Sequence, residues 1–295
     1  MPTLLRSDAL LAWRRHQLQD GGNPSDLDWL LDLAGGVRWT LLQQLRLKPD
    51  QSVTLRCSLP ELEELWRHHR LHQTPLQYLV GVCPWRDLEL QVGPGVLIPR
   101  QETELLVELA LEHAQGGENA PSSPWADLGT GSGCLAVAMA RALPRSRGYA
   151  VDASEAALTQ AAINLEQHQL SKRVSLHQGS WWEPLQAQWG QLQLVLSNPP
   201  YVPTAVWQEL EAVVRNHEPS LALDGGGDGL DAIRTIASGA RQALAPGGWL
   251  LMEHHHDQSP AVGQLLAQAG LINIQNHADL EGTLRFASAQ RASHV

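Results

Sequence analysis

From Glu102 onward, short apolar β-type runs alternate with stretches of helical periodicity, and this alternation constrains the fold more than any other feature of the chain. The pattern predicts helices over 102–114, 134–142, 154–168, 229–243 and 260–269. Strands fall between them at Trp125–Leu128, Gly148–Val151, Val174–His177, Leu192–Leu196 and Trp249–Glu253, with two late ones near Ile272 and Leu284. Strands separated by helices are joined by crossovers, so they form a mainly parallel sheet whose two faces the helices cover. Such sheets hold ligands in crevices at the carboxyl ends of their strands. The residues that follow each strand are therefore the ones to read for chemistry.

The earlier part of the chain has a different character. A first amphipathic helix takes Leu4, Leu5, Leu11 and Leu18 as part of its buried stripe. Ser25 caps a second through Trp29, Leu30 and Leu33 to the Gly35-Gly36 stop, and a third covers Trp39 to Leu45. Ser58, with Pro60 and Glu61 behind it, opens a fourth, and Thr74-Pro75 begins a last turn or two that Gly81 ends. Then Leu88, Leu90 and Val92 alternate with polar residues, Gly93-Pro94-Gly95 turns the chain, and Val96, Leu97 and Ile98 return as a second strand. The expected organisation is a helical domain over 1–82, a β-hairpin linker over 83–100 and an α/β domain over 101–295. Within the last, GGENAPSSP (116–124) reads as a linker-like loop, and Gly225-Gly226-Gly227 as a turn before a helix, since it lacks the GKS or GKT ending of a phosphate loop.

The net charge is -10, and its distribution is uneven. The first 100 residues carry 11 basic and 11 acidic side chains, leaving 10 basic and 20 acidic for the rest. An acidic surface repels a phosphate backbone, which argues against direct nucleic-acid binding over most of the later domain. Cys57, Cys83 and Cys134 are far apart and odd in number, so reduced thiols in a cytoplasmic protein are expected. The opening MPTLLRSDALLAWRRHQLQ has charges every few residues, and it reads as neither a signal peptide nor a membrane span.

Two motifs carry the chemistry. In ADLGTGSGCLAVAMA, Gly129, Gly131 and Gly133, with Thr130 and Ser132 between them, lie directly after a strand and before a helix. Glycines there permit positive φ and close approach of a ligand to the backbone, while the helix start supplies free N–H groups. Asp152 ends the next strand, where a carboxylate accepts hydrogen bonds from ribose hydroxyls. Dinucleotide sites use GxGxxG, whereas this loop reads GxGxG, which favours S-adenosylmethionine over a nicotinamide cofactor. Cys134 reads as a small buried helix residue rather than a nucleophile.

The second motif is LVLSNPPYV, where a buried strand breaks at Asn198, Pro199, Pro200 and Tyr201. Prolines cannot join a sheet ladder, so these residues stand on a stiff loop at the strand tip. An amide or aromatic amino nitrogen is a poor nucleophile because its lone pair is delocalised. Methylating it calls for two acceptors that hold its N–H bonds and aim the nitrogen at the methyl carbon. The Asn198 side-chain oxygen and a main-chain carbonyl of the following proline peptide can supply them, and Tyr201 offers a ring face to a flat group. No residue stands out as a general base, so the proton is expected to leave after transfer.

With these two motifs, TPLQYLVG (Thr74 to Gly81) and VLIPRQETELLV (Val96 to Val107), the chain resembles the HemK/PrmC family, the glutamine methyltransferases of peptide-chain release factors in translation termination. The resemblance implies a class I S-adenosylmethionine-dependent methyltransferase domain, Rossmann-like, behind a small N-terminal helical-bundle domain that recognises the protein substrate. It implies methylation of the N5 amide nitrogen of the glutamine in a Gly-Gly-Gln motif. Gly129 to Gly133 and Asp152 would bind the cofactor, with Trp181 beside adenine and Asn198 near the methyl, and Asn198 to Tyr201 would form the glutamine site. No metal is expected. Glu218-Pro219, DGGGDGL from Asp224, Glu253 and DLEGTLRF (Asp279 to Phe286) also resemble family segments.

Three positions depart from the family pattern. Gln101 stands where proline is usual, Trp85 near a usual phenylalanine, and His254-His255-His256 after Glu253 where glycine is common. The first two read as packing changes. The histidines read as a solvated strand end, because neighbours on an extended segment point to opposite faces and cannot share one ion. The rival functions are a glutamine methyltransferase of a ribosomal protein, a nucleic-acid amino methyltransferase acting on a flipped base, and a non-catalytic binding module.

Overall fold

A computed structural model describes residues 3–48, 50–114 and 123–293. The described chain divides into two compact units, one of residues up to Val82 together with Ala212–His217, the other of Cys83–Glu211 and Glu218 onward. Most of the loop expected at 116–124 lies outside the described residues. Among those described, no helix is long and apolar enough to cross a membrane.

The first unit opens with strand β1 (Thr3–Arg6), followed by α1 (Ser7–Gln19), α2 (Pro24–Leu33), α3 (Trp39–Leu47), β2 (Ser52–Leu55), α4 (Leu59–His72) and α5 (Leu76–Val80). The sequence pattern placed Leu4 and Leu5 on the first helix, and the structure corrects this. Both lie in β1, which pairs antiparallel with β2, and Leu4 is exposed. The partner strand is some fifty residues away in sequence, so local periodicity carries no trace of it. The helix starts at Ser7, whose N–H donates to Gln51 O at 2.8 Å and whose hydroxyl donates to Lys48 O at 2.9 Å. Its fully buried leucine is Leu10, while Leu11 and Leu18 pack at the edge of the same cluster. The cap of α2 is also corrected: Asn23, not Ser25, accepts from the Ser25 N–H at 2.9 Å. Pro24 suits the first helical position, so the cap must precede it. Ser58 and Glu61 form the reciprocal capping box of α4, and Gly81, at φ 81°, ends α5. Trp66 and leucines of α1 to α4 fill the core of this unit.

In the second unit, β3 (Val82–Trp85) and β4 (Leu88–Gln91) form a two-stranded sheet across Arg86-Asp87. This hairpin falls earlier than expected, and Val96–Ile98 is not a strand. The reason is a side chain: the Ile98 N–H, which a ladder would use, donates to the buried carboxylate of Glu218 at 3.1 Å, and Arg100 donates to the other oxygen at 2.7 Å. Arg86 takes the left-handed turn position at φ 55°, its N–H held by Glu104 at 2.9 Å.

The α/β portion follows as α6 (Glu104–His113), β5 (Trp125–Leu128), α7 (Cys134–Ala142), β6 (Gly148–Asp152), α8 (Glu155–Gln167), β7 (Val174–Gln178) and β8 (Leu192–Ser197). After the short α9 (Thr204–Glu209), and α10 (Ala212–Arg215), which belongs to the first unit, come α11 (Asp231–Ala243), β9 (Leu244–Glu253), α12 (Ser259–Gln268), β10 (Ile272–Ala278) and β11 (Leu284–Gln290). The seven strands form one sheet in the order β10-β11-β9-β8-β5-β6-β7. The five strands from β9 to β7 are parallel, and β11 and β10 add antiparallel at one edge. Period-two alternation sorts the strand residues onto two cores. Trp125, Leu194, Leu196 and Leu251 face one, while Ala126, Leu128, Val195 and Met252 face the other.

Gly148 is required by close packing rather than by its backbone conformation. A Cβ on Gly148 would lie 2.2 Å from Cζ2 of the fully buried Trp125 on the neighbouring strand. Gly148→Ala should therefore lower the unfolding free energy by roughly 1–3 kcal/mol through overpacking, as read from urea denaturation. An unchanged midpoint would mean that the Trp125 ring gives way freely.

Candidate active site

The strand order reverses direction at β5, which has β6 on one side and β8 on the other. Connections leave the sheet on opposite sides at such a point and open a crevice at the strand ends. The register aligns Leu128 with Ser197, the last residues of β5 and β8, and Ser197 Oγ donates to Leu128 O at 2.7 Å. The next residues are Gly129 and Asn198, so the glycine loop and the Asn-Pro-Pro-Tyr loop emerge side by side.

A cavity of about 540 Å³ lies at this crevice. Gly129, Thr130, Gly131 and Ser132 line one side, with Asp152 and Trp181 beside them. Asn198 and Pro200 line another part, near Thr103, Arg100 and the Gly225-Gly226 pair. Gly133, Pro199 and Tyr201 do not reach the lining. Gly133 instead permits the helix–helix approach, since a Cβ there would meet Ala161 at 3.0 Å and its φ is 82°. Tyr201 packs against the core on the α11 and α12 side, and its hydroxyl donates to Glu253 Oε1 at 2.8 Å.

The glycine loop is tied down by its neighbours. The N–H groups of Gly129 and Thr130 donate to Val151 O at 2.9 and 3.0 Å, and that of Gly131 donates to Asp152 Oδ2 at 2.9 Å. The other Asp152 oxygen accepts the Ser154 N–H at 2.9 Å. Each oxygen keeps a second lone-pair site for a ligand hydroxyl. Gly129 also leaves space for Trp181, whose ring would stand 3.3 Å from a Cβ at that position. A cavity of this size, with backbone N–H groups, a carboxylate and an indole on its walls, fits a nucleoside bearing an amino-acid tail.

Three buried acids near the crevice had no assigned role in the sequence. Asp127 is wholly buried beneath the loop, accepts from Thr130 Oγ1 at 2.7 Å, and leaves its Oδ1 without a partner. Glu253 ends β9 and accepts two hydroxyls, Tyr201 at 2.8 Å and Thr103 at 2.7 Å, while Thr103 Oγ1 lies 2.9 Å from Asn198 Nδ2. Burial raises the Glu253 carboxyl above its ordinary range, and the two hydroxyls oppose that shift. Glu218 fastens the 98–100 segment, as described above. Thr103 sits inside VLIPRQETELLV, so the signal that marked the segment was present but its side-chain partner was not readable.

The remaining features fall into place around these. The DGGGDGL run walls the Asn-Pro-Pro-Tyr loop: the Val202 N–H donates to Leu223 O and the Gly225 N–H to Val202 O, both at 2.9 Å, and a Cβ on Gly225 would meet Pro200 O at 2.7 Å. Trp85 is more than a packing change, since its Nε1 donates to Arg100 O at 2.7 Å. Gln101 is exposed, and nothing in the structure explains its departure from proline. Burial pushes the Cys134 thiol upward and Cys83 up to about 11, so both stay protonated at neutral pH.

The triple histidine does not behave as one solvated, extended run. His254 is fully buried, and the chain turns after it, so that His255, His256 and Asp257 bring ligand atoms within 4.8 Å of one another. The alternation argument fails there because the segment is a turn rather than a strand. Asp279 organises the later DLEGTLRF turn by accepting from Thr283 N at 2.9 Å and Arg285 Nε at 2.6 Å.

A parallel sheet ordered around a switch point, with an antiparallel edge pair and a nucleoside-type crevice, defines a class I methyltransferase. Residues 102–226 match the family model described as "Methyltransferase small domain". The chain is 48% identical over 285 residues to the release factor glutamine methyltransferase of Prochlorococcus marinus, covering 97% of each. It is 45% identical to that of Gloeobacter violaceus, covering 89% of this chain and 87% of the relative. The chain belongs to the release factor glutamine methyltransferase family. Among solved structures, the hMettl16 catalytic domain in complex with the MAT2A 3'UTR hairpin 6 shares the fold at a TM-score of 0.54 and 14% identity, covering 83% of this chain and 86% of that one.

Asp127 generates a pH prediction. Burial, aided by the nearby Asp152 charge, pushes its carboxyl up to about 7. The folded chain then holds a proton that the unfolded chain releases at the ordinary carboxyl value, so stability falls as pH rises through that window and levels off above about 7. Asp127→Asn cannot titrate. Its unfolding free energy relative to the unsubstituted protein should improve between pH 4.5 and 7.5, by on the order of a few kcal/mol in urea titrations. A difference independent of pH would refute the buried, protonated Asp127.

Proposed function

We propose that this protein transfers a methyl group from S-adenosylmethionine to the N5 side-chain amide nitrogen of the glutamine in the Gly-Gly-Gln motif of class I peptide-chain release factors. One observation carries the reading: the pairing of Leu128 with Ser197 brings a nucleoside loop and an Asn-Pro-Pro-Tyr loop to one crevice mouth. Family membership supports the glutamine substrate.

The cofactor, when bound, supplies a sulfonium methyl that passes to the amide nitrogen, so that the S–C bond breaks as the N–C bond forms, and sulfur leaves as the neutral thioether of S-adenosylhomocysteine. Gly129, Thr130, Gly131 and Ser132 would let the ligand approach the backbone, with Gly133 seating the helix behind them, while Asp152 would receive ribose hydroxyls and Trp181 would flank adenine. Asn198 accepts one N–H of the glutamine amide, and a main-chain carbonyl of the following proline peptide accepts the other. Pro199 and Pro200 keep these acceptors from moving, and Tyr201 holds the loop through its bond to Glu253. After transfer the nitrogen sheds one proton to solvent, for no base is required once it carries the positive charge. Catalysis is then mainly positioning.

The helical unit serves to recognise the release factor in the cytoplasm, since one glutamine side chain cannot identify a protein. The acidic balance of 20 to 10 beyond residue 100 disfavours a nucleic-acid substrate.

Incubation with labelled S-adenosylmethionine and, in separate reactions, a release factor, a ribosomal protein extract and DNA tests the reading. Label is expected on the Gly-Gly-Gln glutamine, and label only on DNA or only on a ribosomal protein would overturn it. Asn198→Ala should lower turnover on the order of a hundredfold while cofactor affinity stays unchanged by calorimetry. Near-normal turnover in that variant would remove Asn198 from the chemistry.

A further inference from the structure

An asparagine amide has two faces of opposite chemistry. Its oxygen accepts and its NH₂ donates, the two branches have nearly the same shape, and a rotation of about 180° exchanges them. Turned one way, Asn198 accepts an N–H of the incoming amide. Turned the other way, it presents hydrogen to hydrogen and repels the same group. The reaction proposed above therefore needs something that chooses.

The choice is built from Glu253 and Thr103. Glu253 is 1% exposed at the end of β9, and although burial raises its carboxyl, a hydroxyl donating to each oxygen favours the carboxylate, which accepts hydrogen bonds and donates none. Its Oε1 takes the hydrogen of Tyr201 Oη at 2.8 Å, and its Oε2 takes that of Thr103 Oγ1 at 2.7 Å. The Thr103 hydroxyl has one hydrogen, and Glu253 has it. What Thr103 Oγ1 still offers is a lone pair, so the Asn198 atom 2.9 Å away must be the donating nitrogen. The amide oxygen then lies on the branch facing away from Thr103. Asn198 itself lines the cavity, so its acceptor is the branch left for a ligand.

We propose that Thr103 and Glu253 are positioning residues: the Glu253–Thr103–Asn198 relay sets the direction of the Asn198 amide and so turns a residue with two faces into a fixed acceptor for the substrate nitrogen. Tyr201 belongs to the same device, since its hydroxyl occupies the second Glu253 oxygen and ties the Asn-Pro-Pro-Tyr loop to β9. The three parts come from distant stretches of chain, Thr103 before α6, Asn198 after β8 and Glu253 at the end of β9. The inference rests on the reading of Asn198 as an acceptor for the glutamine amide.

The test is a double-mutant cycle on the full-length protein with a release factor as substrate, read as kcat, KM and cofactor Kd. Thr103→Val keeps the shape and removes the relay, and is expected to lower kcat about tenfold or more with cofactor Kd unchanged, whereas Thr103→Ser, which keeps the hydroxyl, should stay within about threefold of the unsubstituted enzyme. In an Asn198→Ala background, Thr103→Val should cost nothing further, because the group it orients is gone. Equal losses in both backgrounds, or full kcat in Thr103→Val, would overturn the relay. A readout independent of activity is the Asn198 side-chain amide in NMR: one Nδ2 proton should exchange slowly in the unsubstituted protein and rapidly in Thr103→Val. Fast exchange of both protons in the unsubstituted protein also overturns the relay, and this holds even if Thr103→Val fails to fold. An enzyme that leaves release factors unlabelled while keeping the slow Asn198 proton would refute the substrate and uphold the relay.

Discussion

The parallel pairing of β5 with β8 is the contact on which the site depends. Both strands are buried in the middle of the sheet, and their ladder aligns Leu128 with Ser197. The glycine loop and the Asn-Pro-Pro-Tyr loop both begin one residue beyond that pair. Because β6 extends the sheet on one side of β5 and β8 on the other, the crossovers diverge and leave room above the strand ends. A slip of one residue in this register would reverse the faces of β8 and bury the wrong side chains, so the two hydrophobic cores hold the two loops in step.

Around the crevice the protein keeps several acids out of water, and each is compensated differently. Glu218 pairs with Arg100 and with a backbone N–H, which replaces a strand ladder with a single side chain. Glu253 has only two hydroxyls, and Asp127 has one hydroxyl and an oxygen with no partner. Buried carboxyls with so little compensation are costly to stability. They lie beneath the glycine loop and behind the Asn-Pro-Pro-Tyr loop, the two segments that need fixed geometry. Stability is given up where the reaction needs order.

Legibility in the sequence followed the range of the interactions. The parallel strands and the long helices of the α/β portion were readable because period and caps are local. Asn23 displaced Ser25 as a cap by a rule that Pro24 already contained. Leu4 and Leu5, by contrast, were drawn into a strand by residues 52–55, and Val96–Ile98 was kept out of one by Glu218. At the site, Gly129 to Ser132, Asp152, Asn198 and Pro200 were found from motif and spacing and Trp181 from the family resemblance, and they do line one cavity. Thr103 stands inside the VLIPRQETELLV signature, but nothing in its local neighbourhood marks a role for its hydroxyl. Its partners stand 95 and 150 residues away.

By itself the sequence determined the kinds of chemistry available: a backbone that admits a ligand, a carboxylate at a strand end, and an amide on a stiff proline loop. Those depend on residue type and on neighbours a few positions apart, which the linear order states directly. The tertiary structure alone decided that these pieces share one mouth, and which atom of Asn198 meets Thr103. That last choice is made by a hydroxyl and a buried acid brought from remote segments, and a direction of hydrogen bonding between remote segments has no expression in linear order.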